Sequence, residues 1–413
     1  MIKLMTAVNT TRHTSAKRRI LIVGGGFAGV RVARQLARRR DLQITLVSQD
    51  TYFAYYPQLY HAATGGSRSG VSIPLIELLG GSKIRIVQDK AMALDTKSCT
   101  LIGTSGTIYY YDELVLALGS ITNYFGIAGL KNFAYDIKTI AGAEAFKEHL
   151  HHELVERHKP EIHYIIIGGG ATGVELSAAL GEYLRRIIKL HGIKKPKYSV
   201  ELIEAAPRIL PHSSARYARK VEQRLAKLGV KVITGSSVVG ETAEGLQMKG
   251  KTIETQTVVW TSGVANNPFF ADNASQFELA KNGRIVVNDH MESSPHVYVI
   301  GDNADSQYAG LAETAINDGN FVARDIQRKS HGSSRPAYRQ KAPASVIPVG
   351  SNWAAAKVGP FTFYGYAGWL IRRLADLIAY RDIESTSRAL RVWLGETTHE
   401  DDCATCLQNQ LSA

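Results

Sequence analysis

Two short stretches carry residue types that hold a charged ligand through main-chain groups. Gly24-Gly25-Gly26-Phe27-Ala28-Gly29 follows the apolar run at 20–23, and Gly168-Gly169-Gly170-Ala171-Thr172-Gly173 follows the run His163–Ile167. In such a turn the first glycine lets the chain fold back off a strand. The second lets the backbone approach a pyrophosphate, and the third lets helix and strand pack. Beyond each turn the apolar residues recur at helical spacing: Val30, Ala33, Leu36 and Ala37 in one, Val174, Leu176, Leu180 and Leu184 in the other. A helix starting there offers free N–H groups and a partial positive charge, which suit the phosphates of a dinucleotide. One such turn also occurs for packing alone; two, each between a β-rich run and a helical pattern, predict two dinucleotide sites.

The side chains that follow separate the two sites. The strand SVELI at 199–203 ends at Glu204. A carboxylate there accepts from both hydroxyls of an adenosine ribose and repels a 2′-phosphate, which favours NADH over NADPH. In the first unit the strand ends at Ser48, which bonds a ribose hydroxyl less strongly, with Asp50 placed to compensate. Two such sites imply two dinucleotides, cofactors that carry their own chemistry, so the protein's part is to orient them.

The elements that must position these residues follow from the pattern of apolar runs. Strand, turn, helix and strand over 20–47 form one βαβ unit. Residues 84–118 predict a small β-ribbon, and the second unit runs through a helix to about Leu190 and on to 199–203. A second ribbon falls at 230–260, VYVIGD at 297–302 is a further strand, and a helix is expected from about Leu311 to Gln327. Residues 331–345 read as an irregular linker, and 361–395 as aromatic, basic and helical.

Composition bounds the rest. A chain of 413 residues suits two or three domains, and 45% hydrophobic with 21% charged residues suits a folded core. The net charge of +12 fits nucleic acid, an anionic membrane surface or plain solubility. No helix-turn-helix, zinc finger or aromatic-studded RNA-binding pattern is present, so no nucleic acid partner is expected. Three cysteines, Cys99, Cys403 and Cys406, exclude a disulfide scaffold and suit a reducing compartment. Cys403-x-x-Cys406 lacks a second pair, so no metal site is expected. No apolar run approaches the ~20 residues that span a bilayer. The N-terminus lacks the apolar core of a secretory signal.

In order and spacing, ALGSITNYFGIAGL (117–130), GGGATGVEL (168–176), ELIEAAPRILP (201–211), VWTSGVANNP (259–268) and VYVIGDNA (297–304) resemble the two-dinucleotide flavoprotein oxidoreductases. Within them the chain looks like the type II NADH dehydrogenases, over roughly residues 18–395. The resemblance implies an α/β fold with two Rossmann-like domains, for FAD and NADH, the second inserted in the first, plus a C-terminal amphipathic helical segment. It places a flexible tail at 1–17, the FAD-binding domain at 18–130 and 290–345, and the NADH-binding domain at 131–289. Residues 346–413 become a membrane-associating or dimerisation segment.

The same resemblance assigns residues. FAD is expected against Gly24, Gly26, Phe27, Ala28 and Gly29, against Ser48, Gln49 and Ala91, and against the backbone of Ala117, Leu118 and Gly119. Gly301 and Asp302 would meet its ribityl chain and phosphates, with Asp302 accepting from hydroxyls. Ala312, Glu313 and Thr314 open a helix whose N–H groups would face flavin N1 and the C2 carbonyl. NADH is expected at Gly168, Gly170, Ala171, Thr172, Gly173, Glu204 and Gly263, with Glu175 beside the nicotinamide. Glu175 and Lys341 are the catalytic candidates, Lys341 as a cation near the flavin. Glu313 and Asn317 stand where the family has the two glutamines of Ala-Gln-x-Ala-x-Gln beside its quinone, a departure that bears on the acceptor.

The expectation is therefore an NADH dehydrogenase that reduces a membrane quinone, peripheral on the cytoplasmic side of the cell membrane. Two alternatives stay open: an NADH-binding flavoprotein of apoptosis-inducing-factor type, and an NADH oxidoreductase with a soluble acceptor. A sulfide:quinone-like reading needs cysteines at the flavin, and Cys99 lacks a mate. Residues 364–380 put Trp369, Leu370, Leu374, Leu377 and Ile378 near one helical side and Arg372, Arg373 and Asp376 toward another. Such a helix suits an anionic lipid surface, or a homodimer contact.

Overall fold

The computed structural model describes residues 17–157, 160–194, 196–383 and Trp393. The tail before residue 17, the stretch 385–394 apart from Trp393, and the Cys403–Cys406 pair lie outside the described residues. Strand Arg18–Val23 is buried from Ile20 onward and pairs in parallel with Leu42–Ser48 on one side and Glu113–Leu116 on the other. Arg85–Gln88 and Val297–Val299 extend this sheet in parallel, and Glu292–Ser294 closes one edge antiparallel. Parallel strands are covered on both faces, which is why they read as unbroken apolar runs. Helices Phe27–Leu36 and Ala312–Ser330 pack closely together on this sheet. Gly319 permits the approach: a Cβ there would lie 2.8 Å from the Ala28 carbonyl oxygen.

A second sheet repeats the plan. His163–Ile167 lies between Ser199–Ile203 and Thr257–Trp260, with Val230–Ile233 and Tyr135–Asp136 at the edges, all parallel. Its strands fall in the chain between Glu113–Leu116 and Val297–Val299, so this sheet is inserted in the first. The chain leaves the first unit through Ser120–Thr122 and returns through Val264–Asn266, and these two strands pair antiparallel. In both sheets the glycine turn follows a strand that lies between the next parallel strand of its own unit and one from much later in the chain, the switch point where such sheets bind ligands.

The C-terminal region departs from the sequence expectation at its start. Phe361–Gly365 is a strand, the edge of an antiparallel sheet with Ser345–Pro348 and Ala354–Val358, and the helix begins only at Tyr366. Gly365, at φ +74°, breaks the chain direction between strand and helix. The aromatic run FTFYGY reads equally as strand or helix by composition, and sheet pairing decides it. The helix Tyr366–Ile383 is also turned the other way from an ordinary surface helix. Arg372, Asp376 and Tyr380 face inward, while Tyr366, Leu370, Leu374 and Ile378 are exposed. Arg373 meets Trp393: its guanidinium lies 4.4 Å from the indole centroid, and Trp393 Nε1 donates to the Arg373 carbonyl at 2.6 Å.

Candidate functional site

The first glycine turn forms one wall of a cleft of about 340 Å³. Gly24 adopts φ +117°, and a Cβ there would stand 2.0 Å from the Ala117 carbonyl oxygen, so only glycine lets the turn meet the Ala117–Gly119 backbone. Gly26 faces open space, with no atom within 4 Å of where its Cβ would be, whereas a Cβ on Gly29 would stand 2.0 Å from the Gly24 carbonyl oxygen. Gly26, Phe27 and Ala28 line the cleft beside Ser48 and Gln49. Ala91 and the Ala117-Leu118-Gly119 backbone form the facing wall, and Gly301, Asp302 and Ala312 close the floor. Asp50 also lines it, its carboxyl pushed up by burial.

The floor is braced from behind. The Gly119 N–H donates to Asn303 Oδ1 at 3.0 Å, and Asn303 Nδ2 donates back to the Gly119 carbonyl at 2.8 Å. Gly301, at φ +67°, donates its N–H to Asp318 Oδ2 at 3.0 Å, and the Tyr338 hydroxyl donates to the other oxygen at 2.6 Å. Burial pushes Asp318 up to about 6.

The second turn is built alike. Gly168 adopts φ +115°, its Cβ position 2.4 Å from Ser262 Oγ; Gly170 faces open space; a Cβ on Gly173 would stand 1.9 Å from the Gly168 carbonyl oxygen. Ala171 and Thr172 lie exposed at the helix start. Glu204 accepts from the N–H groups of Gly169 at 2.6 Å and Ala206 at 2.7 Å, which holds its carboxylate at the lip of the turn. Ser48 occupies the matching place in the first unit, 2.7 Å from the Cβ position of Gly25. Gly263, at φ +79°, lies under the Phe125 ring.

Helix starts test whether these turns fit phosphate-bearing cofactors. Helix Ile140–His151 is capped by the Thr139 hydroxyl, and Ala215–Lys227 by Ser214. Helices Phe27–Leu36, Ala171–Leu190 and Ala312–Ser330 begin at Gly26, Gly170 and Leu311 with no side-chain cap. Helix N–H groups need partners, and these three starts leave theirs for a ligand. The residues present therefore fit one dinucleotide at each glycine turn.

Some candidates lie elsewhere. Glu313 is exposed, and its carboxylate accepts from the Ala344 N–H at 3.1 Å. Thr314 is buried, its hydroxyl without a partner among the described residues. Asn317 is half-buried and Lys341 exposed; neither they, Glu313 nor Thr314 line the cleft. Cys99 sits in the turn of the ribbon, outside the cleft, with its thiol 3.8 Å from the Thr96 carbonyl.

Sequence reasoning missed Lys138. It follows the first strand of the inserted sheet and reaches into the cleft, where its ammonium donates to Ser120 Oγ at 3.0 Å and lies 4.0 Å from Asp302 Oδ2. The Tyr56 ring lies 5.6 Å from it. The only local signal was the N-cap Thr139 beside it.

Glu175, one turn into the second helix, is 12% exposed at its side chain and lies 3.9 Å from the Arg372 guanidinium. Burial pushes its carboxyl up to about 8; the Arg372 charge opposes this and Asp376 adds to it.

Two doubly wound sheets with paired glycine turns define a two-dinucleotide oxidoreductase. Residues 18–319 match the family of pyridine nucleotide-disulphide oxidoreductases, and the chain belongs to that family. It is similar to the type II NADH:quinone oxidoreductase Ndh of Mycobacterium tuberculosis, 29% identical over 90% of this chain and 87% of the relative. It is also similar to the type II NADH:quinone oxidoreductase of Staphylococcus aureus strain MSSA476, 26% identical over 87% and 94%. Among solved structures, NDH2 from Plasmodium falciparum in complex with NADH superposes with a TM-score of 0.83, 16% identical over 93% of this chain and 99% of that one. The sulfide:quinone oxidoreductase of Aquifex aeolicus gives 0.73, 20% identical over 94% and 98%.

Proposed function

We propose that the chain is an FAD-dependent NADH dehydrogenase that delivers two electrons to a membrane quinone without pumping protons. The observation that carries this reading is the pair of helices without side-chain caps starting at Gly26 and Gly170, each following a central strand of its own parallel-stranded sheet. FAD, when bound, takes hydride from NADH and returns the electrons to an acceptor. The chain's own groups bind and orient. The turn at Gly24–Gly26 and the start of Phe27–Leu36 hold the first pyrophosphate, and Asp302 accepts from hydroxyls on the floor. The turn at Gly168–Gly170 holds the second, and Glu204 selects NADH through its ribose. The helix start at Leu311 directs free N–H groups at the cleft.

Quinone as acceptor is supported by the names of the full-length relatives. Cys99 lies away from the cleft, which speaks against sulfide chemistry. Among the described residues no helix is long and apolar enough to cross a membrane. The exposed row Tyr366, Leu370, Leu374 and Ile378, with Phe361 and Phe363 on the adjoining strand, suits a lipid surface. The enzyme is thus read as peripheral, on the cytoplasmic face where NADH is made.

Anaerobic stopped-flow absorbance tests the function. NADH bleaches the bound flavin and a quinone recolours it within the turnover time. Bleaching without fast recolouring by any quinone returns the reading to the apoptosis-inducing-factor type. Recolouring only by a water-soluble acceptor removes the membrane pool.

A further inference from the structure

The inward face of helix Tyr366–Ile383 buries an ion pair: Arg372 is 9% exposed and Asp376 6%. Arg372 Nε donates to Asp376 Oδ2 at 2.6 Å, and its Nη2 donates to the Pro57 carbonyl at 3.1 Å. The Tyr55 hydroxyl donates to Asp376 Oδ1 at 3.1 Å, and the Tyr55 ring stacks on Tyr380 at 4.4 Å. Arg372 Nη1 then lies 3.9 Å from Glu175 Oε1, on a helix that begins at the second glycine turn. A cavity of about 220 Å³ opens beside this group, between Tyr60, His61, Trp369, Arg372 and Arg373.

A buried ion pair is a poor way to fasten a helix. Desolvation offsets most of the attraction, and apolar residues of the same size dock at least as well. Here the pair sits on the helix face that meets Glu175, while Leu370, Leu374 and Ile378 face outward. We propose that Arg372 is a positioning residue, carried to Glu175 by the C-terminal helix, so that docking of that helix sets whether the Glu175 carboxyl holds a proton. This rests on the reading of Glu175 as part of the NADH site.

The charge inventory supports it. Two carboxyls, Glu175 and Asp376, share one guanidinium, and Arg372 stays charged in their company. Asp376 has the closer contact, so Glu175 is left with the weaker share of the cation, and burial raises its proton affinity. The other titratable groups facing the pair are Tyr55 and Tyr60 from the segment before Ala63, and Tyr217 from helix Ala215–Lys227. His61 borders the cavity, and burial holds it toward its neutral form. Glu182, one helical stretch on from Glu175, is held by the Ser351 N–H and hydroxyl. No second cation among these groups approaches Glu175 as Arg372 does.

Infrared spectroscopy of the full-length, FAD-loaded oxidised protein tests this without turnover. The protonated-carboxyl band lost in Glu175→Gln is followed against pH. Arg372→Met is expected to move its midpoint upward by about one unit or more, at least tenfold in proton affinity. Asp376→Asn is expected to move it downward, because a like charge is removed and the guanidinium is freed. Arg372→Lys is expected to keep it near the wild-type value. Opposite shifts in the two variants support the proposal. Equal midpoints, or shifts of the same sign, overturn it, as does a wild-type band that does not titrate. Should Arg372→Met fail to fold, the downward shift in Asp376→Asn decides. Loss of quinone-driven recolouring would sink the proposed acceptor and leave this titration standing.

Discussion

At the residue scale the two sites differ most at one matched position. Ser48 and Glu204 end corresponding strands and stand against corresponding glycines. Replacing Glu204 by Gln removes a charged acceptor worth about 1.5–3 kcal/mol. The ratio of kcat/KM for NADH over NADPH should then fall by about tenfold to a hundredfold, measured as steady-state dehydrogenase activity. An unchanged ratio would take Glu204 out of ribose recognition. Gly24→Ala should yield a colourless protein, because its Cβ would strike the Ala117 carbonyl at 2.0 Å in a backbone conformation that alanine resists. Absorbance of the purified variant decides it. Both glycine turns were legible because everything that defines them lies within about ten residues. Lys138 and Asn303 were not. Each meets the cleft through partners far away in the chain, Asp302 and Gly119, and no spacing rule joins residues that only an inserted sheet brings together.

At the element scale the C-terminal helix was legible as a helix with an outward apolar row, but the partners of its inward charged face were not legible. Its alternation of apolar and charged residues is that of a surface helix, and periodicity alone does not say which face looks inward. The buried partners Tyr55 and Glu175 decide it, and they come from elsewhere in the chain. Replacing Leu370 and Leu374 together by Asp should abolish co-sedimentation with anionic liposomes. NADH oxidation by a soluble quinone should stay intact, because neither side chain touches the cleft. A change from dimer to monomer in light scattering, with liposome binding retained, would instead make the row a contact between copies. The strand Val238–Thr242 supplies a second test. Glu241 is 5% exposed, has an oxygen without a partner among the described residues, and is pushed up to about 8 by burial. Its folded proton affinity exceeds the unfolded one, so the fold favours the neutral acid. That contribution is whole below the ordinary glutamate pKa and fades as pH climbs toward 8. Glu241→Gln, neutral throughout, should gain melting temperature relative to wild type across that window, with the difference widening at alkaline pH in thermal scans.

At the scale of the whole molecule, the first sheet is completed by strands from both sides of the inserted unit, Glu113–Leu116 and Val297–Val299. The cleft is likewise walled by both parts of the chain, so FAD bridges segments that fold from distant sequence. FAD at a hundred times its dissociation constant should stabilise the protein by about 2.7 kcal/mol. Calorimetry of apoprotein and reconstituted protein should show that gain; coincident melting curves would mean that the cleft holds no flavin. Another feature concerns ancestry more than stability. Outgoing strand Ser120–Thr122 lies zipped to incoming strand Val264–Asn266, so everything between them starts and finishes at neighbouring points. The join is wider than that two-stranded stalk, because Leu59, Ala62, Ala63 and Val71 of the flavin half share a buried core with Ile140, Phe146, Leu180 and Leu184 of the inserted unit. An exchanged nucleotide carrier would have to match that wall as well as the two stumps, which ties the flavin half to its supplier of reducing power.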